Sequence, residues 1–291
     1  MPPKRSKLPY QAPYHWPAIL QFLGSRLVAG LESVDEDRYR RMGDGWSATV
    51  THEPGHLVAE IAETDSPAPQ DTVARLRHLF DVAANMGQIE AHLGQFPALG
   101  ISRHPGLRLP GCWDSFELII RAILGQQVSV KGAATLSARL VERFGAPTAA
   151  ALADADVGLI GLPRQRADCL RAAAQAKLDG RLNLDAASLE AVKGIGPWTA
   201  QYVLMRTLHD ADAFPASDLV LMKNSGHPSH RSLTAEAENW RPYRAYAAMH
   251  IWKSVVGQRL CPTNWPATLS PRLDLGTLSP SPWDLAHTCQ D

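Results

Sequence analysis

The 291-residue sequence contains no uninterrupted apolar run that approaches the ~18 residues of a membrane-spanning helix. Its first residues, MPPKRSK, lack the apolar core that a signal peptide carries. Apolar residues make up 45% of the chain and charged residues 20%, which is typical of a water-soluble globular protein. We therefore expect a cytoplasmic protein with no membrane partner and a chain long enough to bury a sizeable core.

Cysteine is scarce, and the net charge is zero. The four cysteines, Cys112, Cys169, Cys261 and Cys289, are far apart and form no C-x-x-C pair. Their spacing argues against a zinc knuckle, an iron–sulfur cluster and a secreted disulfide framework. A zero net charge neither favours nor excludes a nucleic-acid partner, so any such site must be a local patch.

The first third of the chain differs from the remainder in its pattern of apolar residues. Apolar residues at 19, 20, 23 and 27 predict an amphipathic helix, and WSATVTHEPGHLVAEIAE alternates around Glu53-Pro54-Gly55, which predicts a β-hairpin. From Trp113 onward, apolar residues recur every three or four positions, which predicts helices. We place a boundary near Leu109 and expect an N-terminal domain at 1–109, a helical region at 110–256 and a disordered tail at 257–291.

The string VKGIGPW predicts a helix-hairpin-helix. Further helices fit Arg164 to Lys177, Ala186 to Val192, Pro197 to Leu208 and Arg244 to Val255. Between the second and third of these, Gly194 and Gly196 tolerate positive φ, and proline occupies the favoured first helical position. A DNA phosphate can approach the amides of both glycines near the positive end of a helix dipole, with Lys193 adding charge. An ordinary corner between two helices is the alternative.

Asp218 stands between AFPAS and LVLMK, about one helix and one loop after the hairpin. Aspartate is common as the N-cap of a helix, and here it would cap a helix that starts near Leu219. Taken alone, the residue is explained by this capping role. The motifs around it favour a second role.

Four motifs occur in order along the chain: PGCWDSFELIIRAILGQQVSVKGAATLSARL, GLPRQRADCL, KGIGPWTAQYVLMR and RPYRAYAAMHIW. In them the sequence resembles the AlkA-type DNA-3-methyladenine glycosylases II of the helix-hairpin-helix superfamily, over roughly Leu8 to Lys253. The resemblance implies an α+β N-terminal domain with an antiparallel sheet, followed by mainly α glycosylase domains. It also implies a helix-hairpin-helix at about 186–208 and an active cleft between helical lobes.

The resemblance further implies a monofunctional DNA glycosylase of base excision repair. Such an enzyme flips an alkylated base, for example 3-methyladenine, out of double-stranded DNA and hydrolyses its N-glycosidic bond to leave an abasic site. We expect a monomer at the bacterial nucleoid that uses no metal or organic cofactor, and a monovalent cation at the hairpin carbonyls is compatible with such folds. A bifunctional glycosylase/lyase and a non-enzymatic helix-hairpin-helix DNA-binding protein remain alternatives.

Asp218 is the expected catalytic residue. Cleavage of a glycosidic bond builds positive charge on the sugar, and a nearby carboxylate stabilises that charge and can orient or deprotonate water. A purine alkylated at N3 or N7 already carries positive charge, so one carboxylate can suffice. By resemblance the base pocket contains Trp198, Tyr202, Trp252, Phe22 and Leu219, whose aromatic members can stack on a cationic base at ~0.5–2 kcal/mol per contact.

The same resemblance assigns DNA contacts to Lys193, Gly194, Ile195, Gly196, Thr199, Gln126 and Gln127. Three residues depart from the family pattern. Gln127 stands where an apolar side chain fills the gap left by the flipped base, Leu219 stands where an aromatic is expected, and Ser217 stands where a second acid could sit. These departures leave the range of accepted bases open.

Bifunctional relatives carry a catalytic lysine near the start of the second hairpin helix. This sequence has Trp198 at that position, and tryptophan offers no nucleophilic amine. We therefore expect base removal without lyase activity. Lys223, one turn beyond Asp218, is the amine that could alter this expectation.

Overall fold

A computed structural model describes residues 2–259, with side chains for residues 2–253. The N-terminal part contains a five-stranded sheet in the order β1-β5-β4-β3-β2, and every neighbouring pair is antiparallel. The strands are β1 Lys4–Pro9, β2 Glu32–Asp35, β3 Arg38–Gly43, β4 Trp46–Glu53 and β5 His56–Glu63. This sheet confirms the predicted α+β character of the N-terminal domain.

Strands β4 and β5 form the predicted hairpin. Glu53 pairs with His56, and Gly55 in the turn has a φ of +83°, which glycine adopts without steric cost. The alternation in the sequence matches burial, because the inward-facing residues Ala48, Val50, Leu57 and Ala59 are fully buried. The core of this domain therefore lies on that face of the sheet.

Helix α1, Trp16–Gly24, is shorter than the apolar pattern predicts. Ile19, Leu20 and Leu23 are buried on it as expected. Leu27 lies beyond its end, because the chain tightens at Arg26, whose N–H bonds the Leu23 carbonyl three residues earlier at 2.9 Å. The prediction that Leu27 continues this helical face was wrong.

The remaining helices of the described residues follow the sheet along the chain. Two of them, α2 Thr72–Leu79 and α3 Met86–Leu93, precede the predicted boundary near Leu109. The others are α4 Ser115–Leu124, α5 Val130–Phe144, α6 Ala149–Leu152, α7 Arg164–Leu178, α8 Ala186–Glu190, α9 Pro197–Thr207, α10 Leu219–Asn224, α11 His230–Ala237 and α12 Arg244–Arg259. Among residues 2–259, no helix has the length and apolar composition needed to cross a bilayer.

The helical periodicity of the sequence is confirmed with small differences at helix ends. Helix α8 ends at Glu190 instead of Val192, and α12 continues past Val255 to Arg259. Residues 260–291 of the expected tail lie outside the described residues. Helices α8 and α9 flank the predicted hairpin, so the helix-hairpin-helix is present at the expected place.

A buried ion cluster joins the sheet to helix α4. Arg41 of β3 binds Glu117 at 2.7 Å, and Arg121 lies 3.3 Å from both Glu117 and Glu32 of β2. Burial alone would lower the pKa of Arg121, but the two carboxylates outweigh burial and raise it. A buried cluster of this kind adds little net stability, yet each charge requires its partners in place. The cluster therefore fixes α4 against the N-terminal sheet.

Candidate active site

A cavity of about 550 Å³ opens between α4, α5, α7, α9 and α10. It brings together residues that are far apart in sequence. The predicted site residues on its wall are Gln126, Gln127, Gly194, Trp198, Tyr202, Asp218, Leu219 and Trp252. The departures that we noted at Ser217, Leu219 and Gln127 therefore all face the same space.

Asp218 is both a helix cap and a wall residue of this cavity. Its Oδ1 accepts from the backbone N–H of Leu221 at 2.8 Å, which caps α10. Trp198 donates its indole N–H to Oδ2 at 2.9 Å, and Trp252 donates to Oδ1 at 3.2 Å. The capping role and the site role are therefore compatible, since the cap holds the carboxylate and the indoles fix its direction. We call Asp218, Trp198 and Trp252 the carboxylate cluster.

Trp198 and Tyr202 form an offset aromatic stack next to that carboxylate. They lie one turn apart on α9, with ring centroids 5.3 Å apart and ring planes 5° from parallel. In this offset stack each ring covers part of the other, so a planar ligand would stack on an outer face of the pair. A base that enters the cavity can therefore stack beside Asp218.

Three arginines surround the Tyr202 hydroxyl. Arg206 donates from Nη1 to the phenol oxygen at 2.9 Å, and Arg26 also hydrogen-bonds the Tyr202 side chain. Burial alone would raise the pKa of Tyr202, but Arg206, Arg26 and then Arg121 outweigh burial and lower it. We call Tyr202 and these arginines the guanidinium cluster, and all four line the cavity.

Sequence reasoning missed the three arginines. Arg206 had a usable signal, because it follows Trp198 and Tyr202 at the helical spacing of four residues on α9. Arg26 lies just beyond α1, and Arg121 lies on α4, so neither position is marked by a local pattern. Their role depends on contacts between elements that are distant in sequence.

Phe22 lies beneath this cluster. The guanidinium carbon of Arg26 is 3.9 Å from the centroid of the Phe22 ring, and that of Arg206 is 5.0 Å away. Among the described residues, Phe22 is not part of the cavity wall. The structure therefore places this expected pocket residue behind two cations.

The two hairpin glycines differ in their surroundings. Gly194 has a φ of +102°, and a Cβ there would lie 2.9 Å from the Cβ and Sγ of Cys169 on α7. Gly196 would place a Cβ in open space, so its amide is accessible from outside. Lys193 is exposed, whereas the Ile195 side chain is buried and leaves only its backbone for contact with DNA.

Gln126 and Gln127 point in different directions. Gln126 donates from Nε2 to the Gly194 carbonyl at 2.9 Å and lies 3.4 Å from the hydroxyl of buried Thr199. It therefore ties the loop after α4 to the hairpin, at one of the carbonyls compatible with a cation. Gln127 is exposed at the cavity with a φ of +55°, a strained conformation for a residue other than glycine.

Lys223 is exposed on α10 and is not part of the cavity wall. Among the described residues, no lysine lines the cavity. Within the same residues, no group of three or more His, Cys, Asp or Glu side chains is arranged to hold a metal ion.

The fold and the cavity together define a class: helix-hairpin-helix proteins in which an aspartate after the hairpin faces an aromatic pocket. Family comparison agrees with this class. Residues 120–227 match the HhH-GPD superfamily of base excision DNA repair proteins, and residues 5–114 match the AlkA N-terminal domain.

Individual relatives give the same result. DNA-3-methyladenine glycosylase 2 of Escherichia coli is 34% identical over 274 residues, which cover 84% of this chain and 95% of that protein. A probable bifunctional transcriptional activator/DNA repair enzyme AlkA of Mycobacterium tuberculosis is 34% identical over 86% of this chain, which spans only 56% of that longer protein. The chain belongs to the AlkA family within the HhH-GPD superfamily. A 3-methyladenine DNA-glycosylase structure from Archaeoglobus fulgidus, 21% identical, confirms the fold with a TM-score of 0.74 over 88% of this chain and all of that one.

Proposed function

We propose that this protein is a monofunctional DNA glycosylase that removes alkylated bases, such as 3-methyladenine, from double-stranded DNA and leaves an abasic site. The observation that carries this proposal is the carboxylate cluster, in which two indoles and a helix cap aim Asp218 into an aromatic cavity. The name of the E. coli relative, DNA-3-methyladenine glycosylase 2, supports the same reaction class.

The mechanism follows from the position of the Asp218 carboxylate. A carboxylate has about four lone-pair sites, and three N–H donors occupy three of them, so one remains for the sugar or for water. When the bond between C1′ and the base breaks, its electron pair leaves with the base and positive charge develops on the sugar. Asp218 stabilises that charge, and water adds to C1′ as the carboxylate accepts its proton.

Binding of the damaged base uses the aromatic surface. A base with a positive charge stacks on an outer face of the Trp198–Tyr202 pair, where cation–π attraction adds to stacking. The exposed amide of Gly196 and the charge of Lys193 hold a backbone phosphate. Gln127 fills the gap that the flipped base leaves, and its amide hydrogen-bonds the orphaned partner base. We further propose that the protein acts as a monomer in the cytoplasm, at the nucleoid.

The lyase alternative is less consistent with this geometry. A lyase needs an amine that reaches C1′ and forms a Schiff base. The residue at the expected lysine position is Trp198, whose indole N–H is bound to Asp218, and Lys223 is exposed outside the cavity wall. Water is therefore the nucleophile in the proposed reaction.

The test measures free base released from methylated duplex DNA. We expect 3-methyladenine in the supernatant and strands that break only after alkali treatment. The same reaction is repeated with borohydride, and we expect no covalent protein–DNA adduct. Failure to release any methylated base would contradict the glycosylase proposal, whereas an adduct that disappears in Lys223→Ala would establish the lyase alternative.

A further inference from the structure

The backbone that carries Asp218 belongs to neither a helix nor a strand. Residues 208–218 form the loop between α9 and α10, and Asp218 is the last residue of that loop. The loop bonds to itself over short distances: the Ala216 N–H donates to the Phe214 carbonyl at 2.9 Å, and the Asp218 N–H donates to the Pro215 carbonyl at 2.9 Å. Such turns shape the loop locally, so contacts with other elements set its position in the molecule.

Two side chains from neighbouring helices hold the second half of this loop. Gln201 of α9 accepts at Oε1 from the Phe214 N–H at 3.0 Å. The Nδ1 atom of His230 lies 3.0 Å from the Ala216 carbonyl oxygen. A carbonyl can only accept, so Nδ1 carries the hydrogen and donates it. Among residues 2–253, this is the hydrogen bond from another element that lies nearest to Asp218 along the loop backbone.

His230 is itself held firmly in place. It is the first residue of α11, and Ser229 caps that helix by accepting from the N–H of Ser232 at 3.2 Å. The Thr234 hydroxyl donates to the His230 carbonyl at 2.8 Å, and Leu233 is fully buried in the core. Among the described residues, no part of α11 lines the cavity. The half-buried imidazole therefore reaches the loop from a helix that is anchored away from the cavity.

The carboxylate and its backbone are fixed by different contacts. The indoles of Trp198 and Trp252 hold the side chain of Asp218 from α9 and α12. The imidazole contact instead holds the main chain two residues earlier, at Ala216, and the exposed Ser217 between them faces the cavity. If that main chain shifted, the carboxylate would move relative to both indoles and to a bound nucleotide.

We propose that His230 is a positioning residue for the glycosylase reaction. By donating to the Ala216 carbonyl, it fixes the backbone that places the Asp218 carboxylate opposite C1′ of the flipped nucleotide. This inference rests on the proposed glycosylase function and adds a residue that contacts neither the base nor the sugar. A displacement of about 1 Å at a reacting group can cost up to ~100-fold in rate, so one backbone contact can have a measurable effect.

The first test compares variants with and without an N–H donor at this position. His230→Leu removes the donor, whereas His230→Asn carries an amide N–H as many bonds from the backbone as Nδ1 of histidine. Single-turnover excision from methylated duplex DNA is measured with the full-length protein, well below the unfolding temperature of each variant. We expect about a 10-fold loss in His230→Leu and less than about a 3-fold loss in His230→Asn. Affinity for duplex DNA, measured by fluorescence anisotropy, should stay near the wild-type value in both.

Two further variants address folding and the local sequence. His230→Ala also removes the donor and places a good helix former in α11, so it gives the same comparison with His230→Asn if the leucine variant does not fold. His227→Leu is the matched control, because the hydrogen bond of His227 within residues 2–253 is from its backbone N–H to Ser225. It should leave the excision rate unchanged.

A double-mutant cycle tests whether His230 acts through Asp218. If the contact serves to place the carboxylate charge, His230→Leu should lower the residual rate of Asp218→Asn by less than about 2-fold. In the Gln127→Ala background the same substitution should still cost about 10-fold, because Gln127 lies on a different loop. A side chain that only supported the fold would lower the rate by the same factor in both backgrounds.

The outcomes separate this inference from the proposed function. A wild-type rate in His230→Leu and His230→Ala would overturn the inference, as would an equal loss in His230→Asn. An undiminished loss in the Asp218→Asn background, or a loss in affinity in place of rate, would also overturn it. All of these results leave the glycosylase proposal intact, whereas failure of the wild type to release any methylated base would contradict the proposed function itself.

Discussion

The carboxylate cluster and the guanidinium cluster hold charge in opposite ways. In the first, one negative charge is surrounded by neutral N–H donors from two indoles and a helix cap. In the second, Arg206 binds carbonyl and phenol oxygens, whereas Arg121 binds the Arg26 carbonyl and the carboxylates of Glu32 and Glu117. The stacked pair of Trp198 and Tyr202 connects the two.

This difference in charge predicts different roles for the two clusters. Every base leaves a positive charge on the sugar, so the carboxylate cluster should act on all substrates. The guanidinium cluster surrounds Tyr202 and does not contact the Asp218 carboxylate, so its substitution should alter how the base is bound. Substitutions in the two clusters should therefore have different effects on base excision and on base binding, and both effects can be measured.

Asp218→Asn should give the largest effect, because it removes the charge that stabilises the sugar and keeps the size of the side chain. Excision of cationic and neutral bases should both fall by at least about 100-fold. Affinity for undamaged duplex, measured by fluorescence anisotropy, should stay near the wild-type value. Excision of 3-methyladenine at close to the wild-type rate would show that Asp218 is not catalytic.

Trp198→Phe should have the next largest effect. It retains an aromatic ring beside Tyr202 and removes the donor to Oδ2, which is 2.9 Å away. We expect about a 10-fold loss in excision rate that is equal for cationic and neutral bases. Trp240→Phe is the control, since the buried Trp240 indole N–H has no hydrogen-bond partner within residues 2–253. If Trp198→Phe reduced the excision of only some bases, the carboxylate cluster would not act on all substrates as expected.

Gly196→Ala should weaken DNA binding and should not affect the chemical step. Its Cβ meets no atom within 4 Å, so the protein should fold normally, with a cost below about 1 kcal/mol at this cap position. Affinity should fall several-fold for damaged and undamaged duplex alike, as expected when a phosphate contact is blocked. Gly194→Ala offers a comparison, because its positive φ and the contact with Cys169 should also lower the free energy of unfolding by roughly 1–3 kcal/mol. Unchanged affinity in a folded Gly196→Ala would remove the hairpin from the DNA interface.

Gln127→Ala should produce the smallest effect. If this exposed residue fills the gap left by the flipped base, excision should fall about 3-fold more for a paired lesion than for the same lesion in single-stranded DNA. The loss should be similar for cationic and neutral bases, since Gln127 belongs to neither cluster. An equal loss on both strand forms would assign the plug to another residue.

The two clusters also differ in how far the sequence predicts them. Trp198 and Asp218 lie 20 residues apart, within a hairpin, helix and loop that local patterns identify. In the guanidinium cluster, the contact between Arg121 and the Arg26 carbonyl spans 95 residues, and the Arg41–Glu117 contact of the ion cluster that anchors α4 spans 76. Spacing rules say nothing about such pairs, because they form only when the sheet packs on α4.

The sequence also did not predict which neighbours several side chains contact. Gln126 and Thr199 are predicted at the DNA surface, and in the structure Gln126 donates to the Gly194 carbonyl at 2.9 Å and lies 3.4 Å from the Thr199 hydroxyl on α9. Phe22 was expected in the pocket, yet Arg26 lies over its ring. A resemblance between motifs identifies positions, whereas the choice between facing a ligand and facing a neighbour depends on residues outside the motif.

The hydrogen bond from Arg121 to the Arg26 carbonyl links the helical region to the N-terminal domain, and it would be lost if the two were separated. Arg26 belongs to the N-terminal domain, and Arg121 takes its ionic partner Glu32 from the sheet of that domain. A helical lobe cut away from residues 1–109 would lose one cation of the cavity and the anchor of another. Chimeras that exchange the N-terminal domain between family members should therefore change which bases are released, even though Asp218 and the hairpin stay the same. The sheet carries none of the four motifs, yet it would help to determine which bases the protein releases.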